Sequence, residues 1–148
     1  MFCARHLRRS LPVLILAGLL VWQLSCEKKR QVRPGPFCGA WKMISGTYKG
    51  PNFTVQSTEE NRLSYKVISQ DHFAVVEMFK SNPDSMLFTA VGRYTYDDST
   101  YTEFYEATNV PYQTGTKNIF RYKLEGNRWI LDMKTEDMEL HEVWERIQ

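Results

Sequence analysis

The fold is indicated most clearly by residues 62–80, RLSYKVISQDHFAVVEMFK. Two runs rich in β-branched and aromatic residues, 62–69 and 72–80, flank the short turn Gln70-Asp71. Runs of this kind joined by a two-residue connection are typical of a β-hairpin. The stretch therefore predicts two antiparallel strands.

Similar runs recur on both sides of this hairpin, and the chain shows little helical periodicity. Turn formers separate them, as in Asn82-Pro83-Asp84 and Asp97-Asp98-Ser99. With the hairpin, the runs predict an all-β fold, an eight-stranded antiparallel up-and-down β-barrel. Its strands are expected at residues 39–49, 62–69, 72–80, 86–96, 101–108, 117–124, 128–135 and 138–147. Residues 52–61 are interpreted as a loop or a short helix near the barrel mouth.

The first 26 residues differ sharply from the rest, because they contain no acidic residue. Three arginines precede an apolar run at residues 11–24, which is too short to cross a bilayer as a helix and suits a secretory leader. A charged, proline-containing segment follows, and its composition predicts a tether. The chain thus divides into leader, tether and barrel domain, at residues 1–25, 26–37 and 38–148.

The end of the apolar run, Leu24-Ser25-Cys26, resembles the bacterial lipoprotein signal, in which the cysteine is lipidated after cleavage. Ser25 fits the small residue required before that cysteine. The alternative is ordinary cleavage with Cys26 as a plain cysteine, but no A-x-A-like site is present. Lipidation would also exclude a disulfide between Cys26 and Cys38. We therefore expect an exported lipoprotein of the bacterial cell envelope, anchored to the membrane at Cys26.

Charge and cysteine usage argue against several partners. Three of the 19 basic residues precede Cys26, so residues 27–148 carry 16 basic against 17 acidic side chains. A near-neutral domain has no electrostatic footprint for nucleic acid, and none is expected as a partner. The spacing of Cys and His predicts no metal site, and no motif predicts a cofactor.

Residues 38–148 resemble the lipocalin-like domains of small bacterial lipoproteins. The matching landmarks occur in order along the chain: Gly39-Ala40-Trp41-Lys42-Met43, Asp71-His72-Phe73, Gly92-Arg93-Tyr94-Thr95, Tyr101-Thr102-Glu103, Leu124-Glu125-Gly126-Asn127 and Glu142-Val143-Trp144-Glu145-Arg146. The resemblance implies a barrel and ligand binding, and it implies no established reaction. It also implies that Trp41 packs with Arg146 to close one end of the barrel, although Trp41 as a wall of a ligand pocket remains open.

If the barrel holds a ligand, aromatic walls and a few convergent polar groups should line its site. We predict that the ligand-binding residues are Tyr65, Phe73, Tyr94, Glu103, Tyr105, Phe120, Arg121 and Tyr122. Because a buried carboxylate needs a partner, Glu103 is expected to pair with an arginine at position 93, 121 or 146. It serves either as a structural ion pair or as the anchor for a ligand headgroup.

Three functions fit this pattern. The favoured one is an envelope lipoprotein that binds a small apolar or amphipathic molecule inside the barrel. The second is an interaction protein with a filled barrel, which presents residues 52–61 and 109–116 to a protein partner. The third is an enzyme that uses His72 or Glu103 as an acid or base. We favour the third least, because no convergent set of catalytic residues is visible.

Overall fold

The computed structural model describes residues 34–147 of the 148-residue chain. The predicted leader, Cys26 and most of the predicted tether lie outside these residues. The strands are β1 Gly39–Gly50, β2 Phe53–Thr58, β3 Arg62–Ile68, β4 His72–Phe79, β5 Met86–Tyr96, β6 Thr100–Thr108, β7 Lys117–Glu125, β8 Arg128–Lys134 and β9 Glu139–Ile147. A three-residue 3-10 helix, Pro111–Gln113, joins β6 to β7.

The long strand β1 closes the barrel by pairing along both of its edges. One edge runs antiparallel to β9. On the other edge, residues 39–42 pair with β3 and residues 45–50 pair with β2. Strands β2 and β3 therefore share one position in the ring, and β4 to β9 follow in order. The prediction of an eight-stranded antiparallel barrel is confirmed.

Strand β2 corrects the interpretation of residues 52–61 as a loop or a short helix. The turn after Gly50 brings the chain back onto β1, so that Gly50 pairs with Phe53 and Ser45 with Thr58. Ser57 is buried, whereas Phe53 and Val55 are 50% and 41% exposed. The segment has no buried apolar face, so backbone pairing with β1, rather than burial, makes it a strand.

Strand β3 shows which side of the sheet faces inward. Arg62, Ser64, Lys66 and Ile68 are buried, whereas Val67, on the opposite face, is 58% exposed. Successive side chains of a strand point to opposite faces. The interior of this barrel therefore contains charged side chains, and the more apolar face of β3 lies outside.

One end of the barrel is closed by the segment that precedes β1. Phe37 is fully buried, and its ring centroid lies 5.0 Å from Tyr101, 4.9 Å from Tyr122 and 5.1 Å from Trp129. The predicted boundary at residue 38 assigned Phe37 to the tether. The folded domain begins before that boundary, because this ring fills the end of the barrel.

The first and last strands meet at this closed end through Trp41 and Arg146. The guanidinium carbon of Arg146 lies 4.2 Å from the centroid of the Trp41 ring. Arg146 also donates hydrogen bonds to the carbonyl oxygens of Cys38 and Pro36. The indole Nε1 of Trp41 donates to the carbonyl oxygen of Phe37 at 2.7 Å. These contacts hold the N-terminal segment across the end of the barrel.

A glycine is required at position 92, where the backbones of β5 and β6 lie close together. The register shifts between Val91 and Gly92, and a Cβ at Gly92 would clash with the carbonyl oxygen of Phe104. A side chain at this position would force the two strands apart. The single glycine in Ala90-Val91-Gly92-Arg93 therefore stands where the backbone needs it.

Candidate functional site

A cavity of about 230 Å³ lies inside the barrel. Gln113, Leu87 and Met138 lie in it near the turns that face away from Phe37 along the strands. The cavity therefore occupies the half of the barrel opposite the Phe37 plug. Its lining combines apolar, aromatic and ionisable residues: Tyr48, Arg62, Lys66, Val75, Glu77, Leu87, Phe88, Glu103, Tyr105, Gln113, Asn118, Phe120, Met133, Met138, Leu140, Glu142 and Trp144.

Strands β3 and β4 supply one charged corner of the cavity. Arg62 Nη2 donates to Glu77 Oε2, and Arg62 Nη1 donates to Ser57 Oγ at 2.9 Å. Arg62 Nε and the hydroxyl of Ser64 are buried and have no hydrogen-bond partner among the described residues. Ser64 lies directly opposite Glu77 in the strand register. This corner therefore has unused hydrogen-bonding capacity next to an ion pair.

A second ion pair crosses the barrel from β3 to β6. Lys66 Nζ donates to Glu103 Oε1 at 2.7 Å, and the two side chains are 4% and 2% exposed. Tyr105 donates to the other Glu103 oxygen at 3.3 Å, and Asn118 donates to the hydroxyl oxygen of Tyr105 at 2.9 Å. The Glu103 carboxylate is thus held by one charged and one neutral donor.

The third buried carboxylate, Glu142 on β9, has neutral donors only. Tyr48 donates to its Oε1 at 2.7 Å, and the indole Nε1 of Trp144 donates to its Oε2 at 2.9 Å. Burial raises the pKa of the Tyr48 phenol, and the Glu142 carboxylate raises it further. Tyr48 therefore stays protonated and remains a donor.

The positive and negative charges of the five acidic and basic side chains in the interior do not balance. Arg62 and Lys66 bring two positive charges, whereas the three carboxylates bring three negative ones. Burial raises the pKa of Glu77 to about 7, and the Glu142 carboxylate adds to this rise, against the opposing effects of Arg62 and Lys66. Burial disfavours the charged form of a carboxyl group. Glu77 therefore takes up a proton as the pH falls through about 7.

Residues 36–148 match the family described as "Domain of unknown function (DUF4488)". This chain belongs to the DUF4488 family. A comparison with curated proteins finds no match. The match covers the barrel from the plug segment onward, so the cavity described above is a feature of the DUF4488 domain of this chain.

Three of the eight predicted ligand-binding residues line the cavity of this DUF4488 domain: Glu103, Tyr105 and Phe120. Phe73 is buried beside them, with its ring centroid 5.8 Å from that of Tyr105. Tyr94 and Tyr122 lie at the closed end, at 6.3 Å and 4.9 Å from the ring of Phe37.

Tyr65 and Arg121 do not belong to the cavity. Both lie on the outer face of the barrel, on strands whose inward positions are held by their neighbours Lys66 and Phe120. The expected partner of Glu103 is also corrected. Lys66, rather than an arginine, fills that role, because Lys66 points inward from β3.

Four charged residues of the cavity were missed as site residues, namely Arg62, Lys66, Glu77 and Glu142. A signal for part of this set was present. Arg62, Ser64 and Lys66 alternate along one face of β3, and Ser64 pairs with Glu77 across the hairpin. A face that carries opposite charges on neighbouring strands can be buried, because its charges are paired.

The histidine and the carboxylate proposed for acid–base chemistry lie in different places. His72 is exposed at the start of β4, where its Nδ1 is 2.7 Å from Asp71 Oδ1. Glu103 is inside the barrel. His141 is likewise exposed and hydrogen-bonded to Asp132 at 2.7 Å. Within residues 34–147, no group of three His, Cys, Asp or Glu side chains is arranged to hold a metal ion.

A larger concavity of about 840 Å³ is lined by residues of β1 and of β6 to β9. Most of these residues are on the outer face, and two pairs of their charged side chains are in contact, Lys134 with Glu139 and His141 with Asp132. Exposed ion pairs of this kind contribute little to the free energy of unfolding. The interior cavity is the stronger candidate site, because its polar groups are desolvated and partly unsatisfied. No helix among the described residues is long and apolar enough to cross a bilayer.

The protonation of Glu77 predicts an unusual dependence of stability on pH. The pKa of Glu77 is 4.5 in an ordinary environment and about 7 in the folded protein, so the folded state retains a proton that the unfolded state releases. Its contribution to stability is complete below pH 4.5 and is lost as the pH rises through about 7. We expect Glu77→Gln to remove this loss, as measured by urea unfolding at several pH values in that window.

The matched control is Glu106→Gln, which removes the same charge from an exposed position on β6. It should leave the pH profile of the wild-type protein unchanged. Parallel profiles for the Glu77→Gln variant and the wild-type protein would show that Glu77 does not retain its proton.

Proposed function

We propose that this DUF4488 protein is a lipid-anchored, lipocalin-like binding module of the bacterial cell envelope that holds a small amphipathic molecule inside its barrel. The observation that carries the proposal is the cavity of about 230 Å³, in which ionisable and apolar side chains share the lining. Pockets for drug-sized ligands are larger, at roughly 300–1,000 Å³. The ligand is therefore smaller than such molecules.

The lining offers polar and apolar contacts next to each other. The unsatisfied polar groups lie at the Arg62–Glu77 corner, on the inward face of β3 and β4. Apolar side chains of the lining, namely Leu87, Phe88 and Met138, come from the same end of the barrel, and Phe88 lies directly opposite Glu77 in the strand register. The polar and the apolar part of an amphipathic ligand would therefore be bound side by side. A ligand without a polar group would leave the buried Arg62 Nε and Ser64 hydroxyl unpaired, which is unfavourable.

The test is isothermal titration calorimetry of the purified protein with alkyl alcohols, alkylamines and fatty acids of increasing chain length. We expect saturable binding of short-chain compounds with a Kd in the micromolar range, which corresponds to about −8 kcal/mol. A sterol, which is too large for the cavity, should not bind.

A pair of neighbouring variants locates the binding. Leu140 lines the cavity from β9, so Leu140→Trp should fill the space and abolish binding. His141, the next residue, is exposed on the outer face, so His141→Trp should bind like the wild-type protein. Equal binding by the Leu140→Trp variant would place the ligand elsewhere and contradict the proposal.

The lipid anchor rests on the sequence around Cys26. We expect the wild-type protein to fractionate with the membranes of a bacterial host, and Cys26→Ala to be released as soluble protein or to remain uncleaved. Cys38→Ala is the control, because Cys38 belongs to the folded domain, where its thiol donates to the carbonyl oxygen of Ser69. Wild-type protein found in the aqueous fraction with Cys26 unmodified would refute the anchor.

A second candidate function, docking to a protein partner, is favoured by two exposed aromatic side chains. Tyr112 is 81% exposed in the 3-10 helix, and Phe53 is 50% exposed at the start of β2. They belong to the two segments predicted from the sequence as contact regions. Failure of every compound in the titration would favour this function over ligand binding.

A further inference from the structure

We infer that the molecule held in the barrel is a cation, a short-chain primary amine in its ammonium form, that binds at Glu77. This inference rests on the proposed function, since it names the chemical class of the ligand for the same cavity. Three independent features of the lining carry it: an uncompensated negative charge, a free carboxylate oxygen and a set of aromatic faces.

The uncompensated charge follows from the pairing inside the barrel. Lys66 pairs with Glu103 and Arg62 pairs with Glu77, whereas Glu142 has only the neutral donors Tyr48 and Trp144. With all five groups ionised, the cavity carries one excess negative charge. A cation would neutralise that charge, a neutral ligand would leave it unchanged, and an alkyl carboxylate would double it in a desolvated space.

The free acceptors are found beside Glu77. Both oxygens of Glu103 and both oxygens of Glu142 already accept hydrogen bonds. Glu77 accepts one from Arg62 at Oε2, and none of the described residues donates to its Oε1. The hydroxyl of Ser64, only 1% exposed and directly opposite Glu77, has no hydrogen-bond partner among these residues. An ammonium group has three N–H donors and can use such acceptors.

The aromatic faces add a second attraction for a cation. Tyr48, Phe88, Tyr105, Phe120 and Trp144 line the cavity. The barrel already holds one ammonium in this way, because Lys66 Nζ lies 4.9 Å from the centroid of the Trp144 ring and 5.2 Å from that of Trp129. Rings attract cations through their negative faces, and the attraction strengthens when water is excluded.

The unpaired Nε of Arg62 is a donor and would suit an anion. Its guanidinium is already bound to Glu77 and Ser57 and lies 5.0 Å from the centroid of the Tyr48 ring. An anion at Nε would meet the carboxylates of Glu77 and Glu142 at the same time. The net charge of the cavity therefore outweighs this single donor.

Binding of an ammonium group should be coupled to the release of a proton from Glu77. The charged and titratable groups that act on Glu77 are Arg62 and Lys66 from β3, Glu142 from β9 and Tyr48 from β1. When the cavity is empty, Glu77 is protonated in a fraction of the protein molecules near neutral pH. An arriving ammonium favours the carboxylate, so the carboxyl proton passes to the buffer while the ligand keeps its own.

The experiment compares three probes of equal chain length, hexylamine, hexanol and hexanoate, in titrations of the wild-type protein near neutral pH. We expect hexylamine to bind at least about tenfold more tightly than the other two, because only the ammonium forms a charged hydrogen bond with Glu77. Titrations in two buffers that differ in ionisation enthalpy should show proton release for hexylamine alone.

Two variants complete the test. Glu77→Gln should weaken hexylamine binding about tenfold and abolish the proton release, whereas Glu106→Gln on the outer face should change neither. If Glu77→Gln does not fold, the selectivity and proton release of the wild-type protein decide. Hexanol or hexanoate binding as tightly as hexylamine would overturn the inference and leave the proposed function intact. No saturable binding of any of the three would overturn both.

Discussion

Replacing Trp41 by alanine is expected to lower the free energy of unfolding by about 3–5 kcal/mol, the usual loss when a buried tryptophan is removed. Trp41 is fully buried, and its ring centroid lies 5.3 Å from that of Trp129. Its ring also contacts the Arg146 guanidinium, and its indole Nε1 donates a hydrogen bond to the carbonyl oxygen of Phe37. Since small domains have a total stability of about 5–15 kcal/mol, the variant should be at the edge of folding.

The measurement is equilibrium unfolding in urea, with two comparison variants. Trp41→Phe keeps a ring in place but loses the hydrogen bond from Nε1, so it should be destabilised less than Trp41→Ala. Tyr112→Ala removes an aromatic ring that is 81% exposed and should be nearly neutral. If Trp41→Ala lies within about 1 kcal/mol of the wild-type protein, the closed end contributes much less than a buried tryptophan should.

The second large effect is expected from the ion pair between Lys66 and Glu103. Lys66→Met should lower the free energy of unfolding by about 3–5 kcal/mol, because it leaves the Glu103 carboxylate buried without its charged partner. Replacing both partners, as in Lys66→Met with Glu103→Gln, should recover most of that loss, since neither of the two positions then carries a buried charge. Urea unfolding of the two single variants and the double variant measures the coupling.

The control for this double-mutant cycle is an ion pair on the surface formed by the same two residue types. Lys134 and Glu139 are 77% and 49% exposed, so Lys134→Met should shift the unfolding midpoint only slightly. A double variant that is as unstable as Lys66→Met alone would show that the destabilisation comes from packing rather than from the unpaired carboxylate.

Eight of the nine strands among the described residues could be predicted from the sequence because their signals are local. Turn residues mark most of the connections, as Asp97 does between β5 and β6. There Asp97 accepts hydrogen bonds from the backbone N–H groups of Ser99 and Thr100, and these bonds lower the pKa of its carboxyl group to about 2. The meeting of Trp41 and Arg146 follows from barrel closure, which pairs the first strand with the last.

The inward face of β3 could not be predicted in this way. Local hydropathy favours burial of Leu63, Tyr65 and Val67, yet the buried row holds Arg62, Ser64 and Lys66. These residues are tolerated inside because Glu77 and Glu103, 15 and 37 residues further along the chain, neutralise the two cations. The compensating charges become visible only when the strand register is known.

For the same reason, the character of the cavity differs from the one expected. The sequence predicted aromatic walls with one carboxylate, Glu103, and an arginine. In the barrel, some aromatic residues, such as Tyr65, lie on the outer face instead, and three carboxylates, a lysine and an arginine are buried inside. Of the predicted aromatic residues, Tyr105 and Phe120 line the cavity together with these charged groups.

The central claim, that a small amphipathic molecule occupies the barrel interior, is tested most directly by NMR of protein labelled at its methionine methyl groups. Met133 and Met138 line the cavity, whereas Met86 is 49% exposed on the barrel surface. Titration with hexylamine, hexanol and hexanoate in turn should shift the Met133 and Met138 methyl signals saturably, most strongly with hexylamine, while Met86 stays in place. If none of the three probes shifts Met133 and Met138 saturably, the barrel does not hold a ligand of this kind.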